Sequence, residues 1–166
     1  MPYWRGGPAH RFVASGARHG LWHAAGRLKV AAGRMGVLLD SYAVLAYLGD
    51  EAGAERVREV LAAAVRGECR VGMSLINLGE VLYVSERARG LAAAQQALAA
   101  LEQLPIEFLP ASRPAILSAA HIKACFPVAY AAAFAAASAL ERAATLLTGD
   151  PEFRSLAPLI QIEWLG

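Results

Sequence analysis

Apolar residues along most of this chain switch repeatedly between short solid runs and helical stripes. Val37-Leu38-Leu39 is a compact run ending in Asp40-Ser41, the pattern of a strand feeding a helix. Tyr42 to Leu48 supplies that helix, and Gly49-Asp50 closes it. From Glu51 to Arg66, the residues Val57, Val60, Leu61, Ala64 and Val65 recur at helical spacing, with Glu55, Arg58, Glu59 and Arg66 off the stripe. That pattern predicts an amphipathic helix ended by Gly67. Arg70 to Met73 reads as a strand, and Ser74 as the N-cap of a helix from Leu75 to Ala88. Gly90 separates it from another helix, Leu91 to Leu104. Ile106 to Leu109 alternates like a strand, and Ser112 can cap a helix with Pro114 in its first turn that runs to about Cys125. After Pro127 come an alanine-rich helix, Val128 to Ala144, a strand, Thr145 to Thr148, and a turn at Gly149-Asp150-Pro151. Ile160 to Trp164 is the last strand.

Strands alternating with helices imply right-handed βαβ units, hence an α/β fold with a mainly parallel sheet covered on both faces. Solid apolar strands such as Val37 to Leu39 suit that burial. No internal repeat is visible. A length of 166 residues fits one domain, and a hydrophobic fraction of 57% excludes disorder of the whole chain. The longest uncharged apolar run, Val128 to Leu140, is mostly alanine and falls short of the roughly 20 strongly apolar residues a membrane span needs. It reads as a buried helix, with no membrane involved. Cys69 and Cys125 form no disulfide framework and no CxxC, so they read as reduced thiols in a cytoplasmic protein.

Charge divides the chain. Residues 1–39 carry six Lys/Arg and no acid, which leaves the remainder with a net charge of −4. The body is therefore no general coat for nucleic acid, and any nucleic acid it acts on must be held locally. Residues 1–34, rich in Gly, Ala, Arg and His, show neither alternation nor stripe. Three readings stand: a mis-called start with Met35 as the natural one, a flexible basic arm, or a transit-like segment. His10, His19 and His23 have no nearby cysteine or carboxylate to complete a metal site.

In open α/β sheets, sites form beyond the carboxyl ends of strands. Asp40 follows the first strand, and Asp150 follows Thr145 to Thr148. Each has a plain alternative: Asp40 as a helix N-cap and Asp150 as an ordinary turn aspartate before Pro151. Glu80 adds weight, as the only charge in the helical stretch Met73 to Ser85. A buried unpaired carboxylate costs several kcal/mol, so Glu80 needs a cation, a proton or an opening to solvent, or else it lies on a solvated helix face. Asn77, one turn earlier, is a candidate to help satisfy it. Three carboxylates from distant positions form an oxygen donor set suited to Mg²⁺ or Mn²⁺, ions that activate water and neutralise phosphoryl oxygens in phosphodiester hydrolysis. There is no glycine-rich phosphate loop, no GxSxG elbow and no supported Cys–His pair, and His121 reads as structural. Bases by type alone, Arg87, Arg89, Arg113, Lys123 and Arg142, are candidates to grip nucleic acid. The helix from Leu91 to Leu104 either meets a second subunit or completes the core.

VLLDSYAVLAYL (Val37–Leu48), SLINLGEVLY (Ser74–Tyr83) and TLLTGDPEF (Thr145–Phe153) resemble the three signature blocks of PIN domains, and of VapC-type ribonuclease toxins of toxin–antitoxin pairs in particular. The likeness covers Met35 to Gly166. It implies a three-layer α/β/α sandwich and a metal-dependent endoribonuclease using Mg²⁺ or Mn²⁺. It further implies an antitoxin whose C-terminal segment crosses the active-site groove, and a homodimer. Carried over residue by residue, the first, second and fourth acids of the family's quartet are Asp40, Glu80 and Asp150, with Thr148 beside the last. The third acid is missing: the matching stretch is Tyr130-Ala131-Ala132-Ala133-Phe134, with Ala132 at the acidic position. Either the substitution was made to disarm a toxic nuclease, or this is a naturally inactive PIN module kept for binding RNA or a protein. Both readings expect weak metal binding and weak cleavage.

Overall fold

The structure, a computed structural model, describes residues 36–166; the leader and its histidines lie outside these residues. Five strands form one wholly parallel sheet: β1 (Val37–Leu39), β2 (Val71–Ser74), β3 (Ile106–Leu109), β4 (Thr145–Thr148) and β5 (Ile162–Trp164), in the order β3-β2-β1-β4-β5. The helices are α1 (Ser41–Gly49), α2 (Ala54–Val65), α3 (Leu75–Arg89), α4 (Leu91–Leu101), α5 (Arg113–Cys125) and α6 (Tyr130–Arg142). A turn of 3₁₀ helix, Pro151–Leu156, follows β4.

Successive strand residues point to opposite faces, and the apolar runs of β1 and β4 use both. Leu38 and Leu146 enter one core with Ala119, Ile122, Ala133 and Phe134 from α5 and α6. Leu39 and Leu147 enter the other, with Val44, Val57, Leu61, Val81 and Leu101 from α1 to α4. This is the α/β/α sandwich that the alternation of elements called for. Helix α6 is buried from Ala132 to Ala139, and its methyl side chains let its backbone lie close against the sheet and α3.

The expected elements are all present, and the differences lie at their ends. Helix α2 starts at Ala54, because Asp50 and Gly53 both adopt left-handed backbone to turn the chain, while the Glu51 N–H donates back to Ala46 O. A Cβ on Gly53 would lie 2.9 Å from Leu165 Cβ, so glycine is needed there on steric grounds as well. Helix α4 stops at Leu101, and Leu104 immediately precedes Pro105, whose ring disfavours helical backbone before it. Strand β5 is shorter than expected, since Ile160 still donates to Leu156 O in the turn. Ser74 and Ser112 cap α3 and α5 as predicted. No single helix among the described residues is long and apolar enough to cross a membrane.

Candidate functional site

Strand order reverses direction at β1, whose connections lead to β2 on one side and whose other neighbour, β4, arrives from β3. The crevice beyond the carboxyl ends of β1 and β4 is thus the place where such a sheet leaves room for a site. Leu39 is in register with Leu147, so the next residues, Asp40 and Thr148, stand level. The Thr148 hydroxyl donates to Asp40 Oδ2 at 2.5 Å and accepts the Asp150 N–H at 3.0 Å. Thr148 therefore ties the two strand-end acids together.

Asp40 is only 3% exposed. Its Oδ1 accepts the Ala43 N–H at 2.8 Å and so caps α1. The plain alternative for Asp40, a helix N-cap, is thus present in the structure. Burial lifts its carboxyl from the usual 3.8 to about 7; the bonds from Ala43 and Thr148 oppose the rise, and the nearby Asp150 and Glu80 carboxylates add to it. Asp150 also keeps a structural job: its Oδ1 accepts the Glu152 N–H at 2.9 Å and caps the 3₁₀ turn.

Glu80 is half-buried at the mouth, not enclosed, and accepts a long bond from Tyr83 Oη at 3.4 Å. Opening to solvent is how this lone charge is tolerated. Asn77 does not serve it. Buried at 1% exposure, its amide accepts from Ser74 Oγ and donates to Ser41 Oγ at 3.1 Å and to Ala131 O at 3.2 Å. Asn77 instead ties α1, α3 and α6 together around the crevice.

One small cleft is lined by Asp40, Glu80, Asp150 and Ala132, together with Asn77 and residues sequence reasoning passed over, chiefly Tyr42 and Glu152. Ala132, an uncharged side chain 6% exposed, lines the same cleft. Of the candidate bases none lines this cleft. Lys123 donates to Val128 O at 2.6 Å, holding the α5–α6 turn, and Arg142 lies 3.7 Å from Glu107 at the amino-terminal edge of the sheet. His121 is exposed on α5 beside Cys125, away from the cleft.

Residues 37–158 match the family model of the PIN domain. The chain belongs to the PIN family. No curated protein matches it significantly. Among solved structures, this PIN domain is similar to a VapBC complex from Rickettsia felis bound to a promoter DNA fragment, with a TM-score of 0.62 at 18% identity, over 80% of this chain and 100% of that one. A DNA-bound VapBC from Salmonella typhimurium gives 0.62 at 20% identity over 80% and 99%. A sarcin–ricin-loop-cleaving VapC toxin from Mycobacterium tuberculosis gives 0.55 at 16% identity over 75% and 95%. At these identities the likeness is one of fold.

Among the described residues, no three His, Cys, Asp or Glu side chains converge closely enough to hold a metal ion by themselves. The carboxylates of this PIN domain nonetheless fit a hydrated hard cation. Mg²⁺ prefers oxygen donors, keeps several waters and is usually held by only one or two carboxylates. A buried carboxyl raised to about 7 by its own desolvation and by two like charges is a group that a cation would relieve.

Proposed function

We propose that this PIN domain is a metal-dependent endoribonuclease, the toxin of a toxin–antitoxin pair, weakened by the alanine at position 132. The observation that carries the reading is the cleft itself. Acids from the end of β1, from α3 and from the turn after β4 line it, and Ala132 is the uncharged residue in the same wall. The VapBC relatives, complexes of a toxin with its antitoxin, support an antitoxin partner, and the sarcin–ricin-loop-cleaving relative supports RNA as substrate.

In this reading Asp40, Glu80 and Asp150 hold Mg²⁺ or Mn²⁺, directly or through water. When bound, such an ion activates a water for attack and neutralises charge on the phosphoryl oxygens. The chain's own contributions are positional. Thr148 fixes the Asp40 carboxylate by hydrogen bond, the α1 cap fixes its other oxygen, and the capped turn after β4 fixes Asp150. Asn77 holds the α6 backbone at Ala131, beside the substituted position. Exposed Tyr83 and Leu91, on α3 and α4, offer apolar surface to a second copy, which light scattering would register as a dimer.

The decisive experiment converts Ala132→Asp and measures Mg²⁺-dependent cleavage of single-stranded RNA. A gain of ten-fold or more is on the order expected for restoring a carboxylate in a metal site. No gain, with metal binding also unchanged, refutes the weakened-nuclease reading and leaves a binding module. Growth arrest by the Ala132→Asp form, relieved by a neighbouring antitoxin gene, tests the toxin role.

A further inference from the structure

Tyr42 follows the strand-end acid by two positions and lines the same cleft, yet the residue is 42% exposed. Its place is set from below. The Cδ1–Cε1–Cζ edge lies over Gly149, where an added Cβ would sit 2.2 Å from Cε1, so the ring occupies space that any side chain at position 149 would take. Glycine between Thr148 and Asp150 thus seats an aromatic ring directly beside the acids. The other aromatic in the cleft wall, Phe153, is 1% exposed and offers no face. Among the described residues no Lys or Arg lines the cleft, so their charge does not grip a polyanion there. Stacking on an aromatic plane needs no such charge and accepts any base.

We infer that Tyr42 is the platform on which one nucleobase of a single-stranded RNA stacks, placing the adjoining phosphate over Asp40, Glu80 and Asp150. The inference rests on the ribonuclease reading and adds to it the element that grips the substrate. An exposed ring held by a backbone contact is pre-ordered, so little freedom is lost when a base covers it. A duplex keeps its bases stacked on one another, so the platform selects unpaired RNA.

The test uses the full chain, a short single-stranded RNA carrying the fluorescent base aminopurine at each position in turn, and Mg²⁺. Removing one stacking partner should weaken binding about ten-fold, so Tyr42→Leu is expected to raise Kd by that factor and abolish the quenching at one base position. Tyr42→Phe, which keeps the ring, should retain both the affinity and the quenched position. Gly149→Ala should displace the ring and weaken binding in the parent, but add nothing in the Tyr42→Leu background, the non-additivity expected of two residues acting through one contact. Parent-like affinity and quenching in Tyr42→Leu overturns the inference and leaves the nuclease reading intact. So does weaker binding with the quenched position unchanged, because the tyrosine would then act through the fold. If no form binds the RNA, the nuclease reading fails and the platform with it.

Discussion

Replacing Asp40 by asparagine should stabilise this protein, and the amount should depend on pH. In the unfolded chain the carboxyl ionises near 3.8; in the fold, burial first, then the Asp150 and Glu80 charges, hold its proton until about pH 7. Below pH 3.8 both states are protonated and the side chain carries no ionisation penalty. Between there and 7 the unfolded state releases its proton first, so stability falls as pH rises. Above 7 the slope ends and the native fold bears the whole penalty, at most about 4 kcal/mol at about 1.36 kcal/mol per pKa unit. Asparagine is the same size and neutral. Its amide oxygen can still accept the Ala43 N–H, and its nitrogen can donate to the Thr148 oxygen once that hydroxyl turns. With chelator present, urea denaturation followed by circular dichroism should therefore show the two forms within about 1 kcal/mol near pH 4, the typical worth of one altered hydrogen bond. At pH 8 the variant should lead by about 2 to 4 kcal/mol, the lower bound allowing for relaxation and water entry around the charge. Adding Mg²⁺ should stabilise the parent and leave the variant unmoved, narrowing the gap. A variant equal to or weaker than the parent at pH 8, or a gap independent of pH, would refute the claim that this carboxyl is a desolvated charge awaiting a cation.

Other substitutions test neighbouring parts of the same design. Ala132→Asp places a carboxylate at a position 6% exposed, so in chelator it should lower stability by about 1 to 3 kcal/mol, recovered on adding Mg²⁺ and read as a thermal midpoint with and without metal. Asn77→Ala deletes the amide shared by Ser41, Ser74 and Ala131, and should cost about 2 to 4 kcal/mol in urea denaturation, because those partners are left buried and unpaired. Thr148→Val keeps the shape but removes the donor to Asp40, so the pH at which stability stops falling should move upward, seen in the same pH series.

Much of this was legible in the residues, for identifiable reasons. Val37 to Leu39 and Thr145 to Thr148 are buried on both faces, and such strands leave solid apolar runs whose ends are marked by the first polar residue, here Asp40 and the Gly149-Asp150 turn. Glu80 stood out because its surroundings carry no other charge. Tyr42 and Glu152 did not, since which way they face depends on the first turn of α1 and on the 3₁₀ turn after Pro151, neither of which has a sequence period. Asn77 differs from its sequence expectation for a related reason. Spacing along one helix suggested Glu80 as its neighbour, whereas its partners on α1 and α6 are set by tertiary packing. The start of α2 lies later than the stripe predicts because Asp50 adopts left-handed backbone, a choice the glycine at 53 advertises and the aspartate does not.

The bond from Thr148 to Asp40 spans 108 positions of sequence, and it has a bearing on when this protein can act. During synthesis the chain emerges from its amino end, and domains begin to fold as they appear. Until Thr145 to Thr148 has been made, β1 has no neighbour on one side and the carboxylate of Asp40 has no hydroxyl to steady it. Asp150, the last of the three candidate metal-binding acids in sequence, comes later still. The cleft of this PIN domain is therefore assembled only when most of the chain has been made, and under the nuclease reading no half-finished chain carries the site.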